Sequence, residues 1–294
     1  MEISTSTNLV AFTPGRMRNP MEFCIRQCAQ GGYRVLDINF CEAMNPWSKM
    51  RNDDWEDYVK SIGELGAQLG VCFRQSHLPY YDIFRNPQKD PVMEMLIERS
   101  IIASAMLGVR WAVTHPATVY SDYSASFQEN LNYYAAHLTT ARKYGVGICL
   151  ENDFGYLADQ KRLMYCADVA ELIQLVDAFA DPEYMGICYD FGHANLTPNP
   201  QHRQNINRIS SRLKALHVQD NHGSRDEHLL PFHGNIDWAA CMSGLAEIGY
   251  RGDLTFEVQE FGRYFPNDHK YLVVEYSRKI GKILADLYRD ATKA

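Results

Sequence analysis

Residues 185–193 of this 294-residue chain have the sequence MGICYDFGH, in which a short apolar run ends in Asp190 and His193 follows three residues later. A nearly continuous apolar run of this length is typical of a strand buried on both faces of a parallel sheet. The polar residues mark the point where such a strand leaves the core. The stretch therefore predicts a buried parallel strand with polar side chains at its carboxyl end.

The same arrangement recurs along the chain. Apolar runs predict eight strands, at Thr7–Phe12, Arg34–Asn39, Gly70–Gln75, Trp111–His115, Gly147–Glu151, Met185–Asp190, Ala215–Val218 and Leu254–Glu257. Segments with helical spacing of apolar residues lie between and after them, at Met21–Gln30, Trp55–Leu69, Val92–Leu107, Ser126–Tyr144, Asp168–Phe179, His202–Arg212, Trp238–Ile248 and Lys270–Leu287. Glycines such as Gly70, Gly145 and Gly186 are expected to end helices before the chain re-enters the sheet.

Eight strand–helix alternations predict a closed (β/α)8 barrel, the TIM-barrel architecture of the α/β class. The alternative is an open doubly wound sheet, which is disfavoured because no glycine-rich phosphate loop follows the first predicted strand. The chain contains no Pro/Gly/Ser-rich linker and no low-complexity tract. We therefore expect residues 1–294 to form a single domain.

Composition narrows the classes of function. The net charge of −7 disfavours a nucleic-acid partner, because binding a duplex usually requires a basic surface. No apolar run approaches the roughly 18 residues of a membrane span, and the first residues lack the pattern of a signal peptide. The eight cysteines include no CxxC pair, so we expect all of them to be reduced and structural, as in a cytoplasmic protein.

Four ionisable residues end four successive predicted strands: Glu151, Asp190, His217 and Glu257. In a parallel barrel all these strand ends open onto one face, which carries the active site. Each residue alone is as readily explained by a hydrogen-bonded strand end. Together, three carboxylates and one imidazole suit Mn²⁺, Mg²⁺, Co²⁺ or, less selectively, Zn²⁺, and the absence of thiolates argues against a structural zinc. The set predicts one divalent metal ion.

Further polar residues follow the strand ends and are expected to face the same cavity and bind the substrate: His77, His115, His193, Asp226 and His228. For any one histidine, an ordinary polar contact is the more common role. His202 stands in a polar context that predicts exposure to solvent.

Taken in order, these motifs resemble the sugar phosphate isomerase/epimerase branch of the xylose isomerase-like barrel superfamily. The matching segments are LEN at 150–152, YDFGH at 189–193, LHVQD at 216–220, DEHLLPFHGNIDW at 226–238 and TFE at 255–257. The resemblance implies that Glu151, Asp190, His217 and Glu257 are the metal ligands. It also implies that Glu151 and Glu257 are the catalytic acid/base pair, acting on a sugar or a sugar-like polyol.

The chemistry of such a pair is consistent with this assignment. A divalent metal stabilises the enediolate that forms when a proton is removed next to a carbonyl. Two carboxylates on opposite sides of that carbon can take and return the proton. Return from the other face gives an epimerase, and return to the neighbouring carbon gives an isomerase. A keto-sugar or inosose dehydratase or lyase can use the same groups and remains an alternative.

The sequence departs from the ketohexose 3-epimerases of this branch at two positions. His228 stands where an arginine is expected, three residues before Pro231, and Phe232 replaces the glycine expected after that proline. Both departures concern the substrate and not the metal site.

A second resemblance is to the endonuclease IV-type DNA repair enzymes, which share the barrel and bind three zinc ions. Their ligand pattern can be placed on nine residues here: His77, His115, Glu151, Asp190, His193, His217, Asp226, His228 and Glu257. The acidic charge and the absence of a basic run with interleaved aromatics favour sugar chemistry over DNA cleavage. A barrel that only binds a sugar is a third reading, against which the intact ligand set argues. Oligomeric state stays open, a homo-oligomer included.

Overall fold

The computed structural model describes residues 1–13, 18–84, 90–157, 159 and 161–293 as a parallel β-barrel surrounded by helices. The strands are β1 Ile3–Ser6, β2 Val35–Asn39, β3 Cys72–His77, β4 Trp111–Thr114, β5 Gly147–Glu151, β6 Tyr156–Leu157, β7 Arg162–Leu163, β8 Met185–Asp190, β9 Leu213–His217 and β10 Leu254–Phe256. The helices are α1 Met21–Gln30, α2 Trp55–Leu69, α3 Pro91–Met106, α4 Ser126–Tyr144, α5 Val169–Ala178, α6 Phe191–Asn195, α7 His202–Ile209, α8 Trp238–Glu247, α9 Gln259–Gly262 and α10 Lys270–Ala291.

Eight of the strands form one parallel sheet in the order β10-β1-β2-β3-β4-β5-β8-β9, while β6 and β7 pair separately. The two ends of this order meet at a parallel bridge between Val218 and Phe256. There the amide of Val218 donates to the carbonyl of Thr255 at 2.8 Å, and the amide of Glu257 donates to Val218 at 3.1 Å. The (β/α)8 TIM barrel predicted from the sequence is therefore confirmed.

Local signals set several helix ends. α1, α2 and α4 have the predicted limits, and α2 and α4 end at Gly70 and Gly145, whose φ angles of 65° and 75° are left-handed. Glycine adopts this conformation without the steric penalty of a Cβ atom. Gly186 behaves differently: it lies inside β8, so its prediction as a helix-ending residue is wrong.

The predicted first strand at Thr7–Phe12 is also wrong. β1 is Ile3–Ser6, which pairs with β10 through Ile3–Leu254 and with β2 through Thr5–Leu36. The apolar run after it forms a 3-10 helix over Thr7–Val10, in which Ser6 Oγ accepts the amide hydrogen of Asn8 at 3.3 Å. Burial is common to both conformations, so the apolar run alone did not distinguish them.

Side chains along each strand point alternately towards the surrounding helices and into the barrel interior. Residues two apart on a strand share a face. Inside the barrel, four small side chains pack with Trp111: Val113, Cys149, Cys188 and Ala215. The next inward position on β5, β8 and β9 holds Glu151, Asp190 or His217, which places these groups together at the carboxyl end of the barrel.

The cysteines and helices bear on two further expectations. All eight cysteines are unpaired, and six are buried as expected of small apolar residues. Cys72 is exposed and Cys41 lines a cavity, so a purely structural role for all eight is not supported. Within the described ranges, none of the helices has both the length and the apolar character that a bilayer crossing requires.

Candidate metal centre and substrate cavity

The structure brings the four predicted metal ligands together. Glu151, Asp190 and His217 are the last residues of β5, β8 and β9, and Glu257 follows β10. All four side chains are buried, and one possible donor atom from each lies within 4.8 Å of the others. His217 Nδ1 is 2.9 Å from Glu151 Oε1 and 3.5 Å from Glu257 Oε2. These four residues are hereafter the four-donor group.

The charges of this group fit a divalent cation. Burial raises the pKa of Asp190 above its usual range. Burial would also raise the pKa of Glu151, but the adjacent His217 and His115 outweigh it and hold that pKa well below its usual range. Asp190 Oδ2 has no hydrogen-bond partner among the residues that the structure describes. A divalent ion would pair with this oxygen and keep both carboxyls ionised.

A second cluster contains three of the predicted substrate-binding residues. Asp226 Oδ2 is 2.6 Å from His228 Nε2 and 3.8 Å from His193 Nε2. Burial opposes ionisation of Asp226, but His228 and His193 hold its pKa well below the usual range. Burial likewise opposes protonation of His228, and Asp226 outweighs it to raise that pKa to about 9. The cluster is therefore an ion pair in which both ring nitrogens of His228 are engaged, because Nδ1 donates to the carbonyl oxygen of Glu257 at 2.9 Å.

The remaining two predicted residues lie against Glu151. His115 Nε2 is 3.2 Å from Glu151 Oε2 and 3.2 Å from His77 Nε2. Burial lowers the pKa of His115 to about 3, so this imidazole is neutral near pH 7. His77 Nδ1 lies 2.7 Å from the carbonyl oxygen of Leu78, to which it donates. Each of these two clusters, like the four-donor group, has donor atoms close enough to hold an ion.

A cavity of about 220 Å³ lies at this end of the barrel. Its walls include Glu257 and the predicted substrate-binding residues His77, His115, His193, Asp226 and His228. The other three members of the four-donor group are fully buried and lie beneath its surface. Drug-sized ligands occupy pockets of roughly 300–1,000 Å³, so this cavity suits a smaller molecule.

Local structure at the YDFGH motif places His193. Asp190 Oδ1 accepts the backbone amide hydrogen of His193 at 2.7 Å and so caps α6. Gly192 leaves room for the amide of Gln219, because a Cβ atom there would lie 2.0 Å from Cδ of Gln219. His193 Nδ1 then lies 3.0 Å from the carbonyl oxygen of Asn152, which directs Nε2 towards Asp226.

The loop after β9 contains both departures from the ketohexose 3-epimerase pattern. His228 and Phe232 have positive φ angles of 45° and 72°. The left-handed conformation of Phe232 explains why glycine is favourable at this position. Asp220 holds it there, because its Oδ2 accepts the amide hydrogen of Phe232 at 3.0 Å and the indole hydrogen of Trp238 at 2.9 Å.

Two asparagines at the site were missed by the sequence reasoning. Asn8 Nδ2 donates to Glu257 Oε1 at 3.0 Å and so orients this carboxylate. Asn152 accepts the amide hydrogen of Asp190 at 2.8 Å and donates to its carbonyl oxygen at 3.0 Å. Asn152 directly follows Glu151, a position that could have suggested a role. Asn8 lies in the segment predicted to be a strand, and no local signal indicates its contact.

Two buried polar residues behind the site were also missed. Asp37 Oδ2 is 3.6 Å from His217 Nε2, on the side of the ring away from Glu151. Gln219 Nε2 donates to Asp226 Oδ1 at 2.7 Å. Asp37 interrupts a strand-like apolar run and Gln219 follows one, and an unpaired charged or amide group in either place is unfavourable. A polar residue in either place indicates a polar partner in the folded protein, and this was the signal that could have identified both residues.

The prediction that His202 is exposed is wrong. Its side chain is buried, and Nδ1 lies 3.1 Å from the hydroxyl of Tyr189. His202 is the first residue of α7, and its ring packs beside Phe191. Its polar neighbours in sequence lie on the outer side of the helix, which is why the local context was misleading.

The family described as xylose isomerase-like TIM barrel matches residues 25–273. The chain belongs to this family. An uncharacterized protein, y4fM, of Sinorhizobium fredii is 26% identical over 251 residues, covering 85% of this chain and 74% of the relative. Protein MJ1311 of Methanocaldococcus jannaschii, also uncharacterized, is 29% identical over 189 residues, which is 62% of each chain.

Solved structures with the same fold include several described as sugar epimerases. A D-tagatose 3-epimerase-like protein superposes with a TM-score of 0.74 at 22% identity, covering 99% of both chains. An L-ribulose 3-epimerase has a TM-score of 0.73 at 16% identity, covering 100% of this chain and 96% of that one. The 3-keto-D-glucoside 4-epimerase of E. coli has a TM-score of 0.70 at 16% identity, covering 95% and 99%.

Proposed function

We propose that this family member is a divalent-metal-dependent sugar isomerase or epimerase. The observation that carries the proposal is the four-donor group at the base of a cavity of small-molecule size. Two of its carboxylates, Glu151 and Glu257, approach the same nitrogen of His217, at 2.9 Å and 3.5 Å, so both lie close to one position. The epimerases among its structural neighbours support this class of reaction.

In this mechanism Glu257 is the group that meets the substrate from the cavity wall. Asn8 fixes one of its oxygens, which leaves the other oriented towards the centre of the group. Glu257 takes a proton from the carbon next to the substrate carbonyl and, in an isomerase, returns it to the neighbouring carbon. In an epimerase, Glu151 first takes up a proton from solvent and then delivers it to the other face of the same carbon. A bound divalent ion would polarise the carbonyl and stabilise the charge that develops.

We further propose that the histidines and Asp226 hold the sugar hydroxyls. His115 is neutral and can accept or donate a hydrogen bond, whereas His228 already donates to Asp226 and to the carbonyl oxygen of Glu257 and so holds Asp226 in place. Mn²⁺, Mg²⁺, Co²⁺ and Zn²⁺ all suit the oxygen and nitrogen donors, with Mn²⁺ our first choice. The eight unpaired cysteines support a reducing, cytoplasmic compartment.

Exchange of a carbon-bound substrate hydrogen with solvent in heavy water tests the proposal, using a panel of ketoses, keto-sugars and inososes. Glu151→Gln and Glu257→Gln should each reduce this exchange by about 10²–10⁴-fold at saturating metal, the usual effect of removing a positioned acid or base. Glu64→Gln, an exposed residue of α2, is the matched control and should exchange like the wild type. Absence of exchange with every sugar in the panel would refute the proposal.

One observation favours a second candidate, an endonuclease IV-type phosphodiesterase. All nine residues of that ligand pattern fall into three clusters, two of which share Glu151, and each cluster has metal-compatible spacing. Against it, Arg18 is the one arginine or lysine among the described residues lining the cavity, whereas tight duplex binders make about 6–10 phosphate contacts.

Metal stoichiometry separates the two candidates. If the protein is a sugar isomerase or epimerase, we expect about one divalent ion per chain. The metal content of His228→Ala should then equal that of the wild type. Three zinc ions per chain, loss of metal from His228→Ala and cleavage of an abasic-site duplex would instead establish the endonuclease. A dehydratase or lyase would also show exchange, and is recognised by a product that has lost water or a carbon fragment.

A further inference from the structure

Arg18 occupies a fixed position at the cavity wall. The backbone of Arg18 forms an antiparallel bridge with Phe12, and the amide of Asn19 donates to the carbonyl of Ala11 at 2.7 Å. Asn19 Nδ2 also donates to the carbonyl of Val10 at 2.8 Å. These bonds attach Arg18 to the segment that follows β1. The position of Arg18 in the cavity wall is therefore fixed relative to the barrel.

The guanidinium of Arg18 forms no ion pair with the described part of the chain, although it is near enough to Glu42 to act against the burial that raises the pKa of that carboxyl. Its Cζ lies 5.0 Å from the ring centroid of Phe12, and the side chain is half-buried. Arg263 lies 4.7 Å from the same ring but forms an ion pair with Glu260. Glu42 lines an adjoining cavity with Arg18, but its carboxylate accepts a hydrogen bond from Ser48 at 2.7 Å and forms no ion pair with the arginine.

An arginine held in this way is suited to an oxyanion. Its planar group donates two parallel hydrogen bonds to a carboxylate or phosphate, and partial burial strengthens such bonds. Surface arginines are usually satisfied by water, but Arg18 shares one small cavity with Glu257. Asn8 lines that cavity too and donates to Glu257.

We propose that the substrate of this cavity is a sugar carrying a phosphate or carboxylate group, and that Arg18 binds this group while the carbonyl end lies at Glu257. The inference rests on the proposed function for the chemistry at Glu257. The recognition of the anion rests on Arg18 alone and is tested separately. A single arginine suits one oxyanion of a small molecule better than the repeated phosphates of a nucleic acid.

Binding of four probes to the metal-loaded protein tests the proposal by calorimetry: inorganic phosphate, D-fructose, D-fructose 6-phosphate and D-fructuronate. At least one of the two anionic sugars should bind more than tenfold more tightly than D-fructose. Arg18→Gln should weaken that binding by about 10–100-fold, the usual effect of losing a charged hydrogen-bond partner, and should change D-fructose binding much less. Arg18→Lys retains the charge and should retain part of the preference.

Arg208→Gln, an exposed residue of α7, is the matched control and should bind all probes like the wild type. Preference for D-fructose 6-phosphate or for D-fructuronate assigns the anion as phosphate or carboxylate. Equal binding of neutral and anionic sugars overturns the proposal, as does a preference that survives in Arg18→Gln. Tight binding of an abasic-site duplex that free sugar phosphates cannot displace also overturns it.

Measuring the exchange of carbon-bound hydrogen with solvent for the same probes tests the proposed function separately from the anion site. Exchange with neutral sugars and no dependence on Arg18 overturns the anion site and leaves the isomerase or epimerase intact. Arg18-dependent anion binding without exchange for any sugar in the wider panel overturns the proposed function. Metal content and the far-ultraviolet circular dichroism of each variant establish that its fold and metal centre are retained.

Discussion

Replacing Asp190 with asparagine separates a metal-binding role from a role in the fold. Asp190 Oδ1 caps α6 by accepting the amide hydrogen of His193 at 2.7 Å. Asparagine keeps an oxygen for this bond and removes the negative charge. Asp190 Oδ2 lacks a hydrogen-bond partner within the described ranges and is the oxygen available to a cation. The substitution should therefore leave the cap intact and weaken the metal site.

The expected effect on the free energy of unfolding changes sign with metal. Burial raises the pKa of Asp190, so the folded state binds this proton more tightly than the unfolded state does. Its negative charge thus opposes folding near pH 7, and each tenfold change in proton affinity is worth about 1.4 kcal/mol. In EDTA, Asp190→Asn should be more stable than the wild type by about 1 kcal/mol or more.

Metal should reverse this order. A ligand present at 100 times its Kd stabilises the folded state by about 2.7 kcal/mol. An unfolding entropy of about 2.1 cal/mol/K per residue gives roughly 0.6 kcal/mol/K for a chain of 294 residues. The Tm of the wild type should therefore rise by about 4 °C when Mn²⁺ is added, and the Tm of Asp190→Asn should rise much less.

Thermal unfolding followed by circular dichroism, with EDTA or with Mn²⁺, measures both quantities. Asp168→Asn is the matched control, because Asp168 is exposed and caps α5 by accepting the amide hydrogen of Ala170 at 2.8 Å. This control should respond to Mn²⁺ like the wild type. An equal Mn²⁺ response in Asp190→Asn, or a marked loss of its stability in EDTA, would show that the reasoning about Asp190 is wrong.

Three further predictions concern residues outside the four-donor group. Alkylation of Cys41, which lines the cavity, should abolish sugar binding in a Cys72→Ser background. Alkylation of the exposed Cys72 in a Cys41→Ser background should leave sugar binding intact. Mass spectrometry measures the alkylation and calorimetry measures the binding. Burial lowers the pKa of His202 to about 4, so the unfolded state takes up its proton first. Stability should fall by up to about 1.4 kcal/mol per pH unit as the pH drops from about 6.5 to 4, and His202→Gln should show a shallower fall in urea unfolding. Phe232→Gly should be more stable than Phe232→Ala by up to about 1 kcal/mol, because glycine relieves the left-handed strain at φ 72°; equal stabilities would contradict this.

The positions of the polar strand ends could be predicted from the sequence because the signal is local. An apolar run that stops at a carboxylate or imidazole predicts a buried strand end, as at β5, β8 and β9. The limits of α2 and α4 are local too, since Gly70 and Gly145 adopt the left-handed conformation that ends each helix. From these signals follow the barrel and the convergence of Glu151, Asp190, His217 and Glu257 on one face.

The supporting contacts depend on the closed barrel. Asn8 and Glu257 are 249 positions apart in the chain and meet because β1 pairs with β10. Asp37 and His217 likewise come together only across the barrel interior. Sequence spacing carries no information about such pairs, because each contact forms only when the closure of the sheet brings distant segments together.

The wrong predictions, for the first strand and for His202, also concern contacts between distant segments. Whether Ile3–Ser6 or Thr7–Phe12 forms the first strand depends on hydrogen bonds to Leu254–Phe256, at the other end of the chain, and both segments contain residues suited to burial. His202 is buried because α7 packs beside Phe191, which follows β8. Sequence by itself determined the alternation of buried strands and their polar ends, since these follow from local solubility and conformational preference. Tertiary structure decided which segment closes the barrel, which polar groups support the site and where Arg18 lies, because each depends on contacts between distant segments.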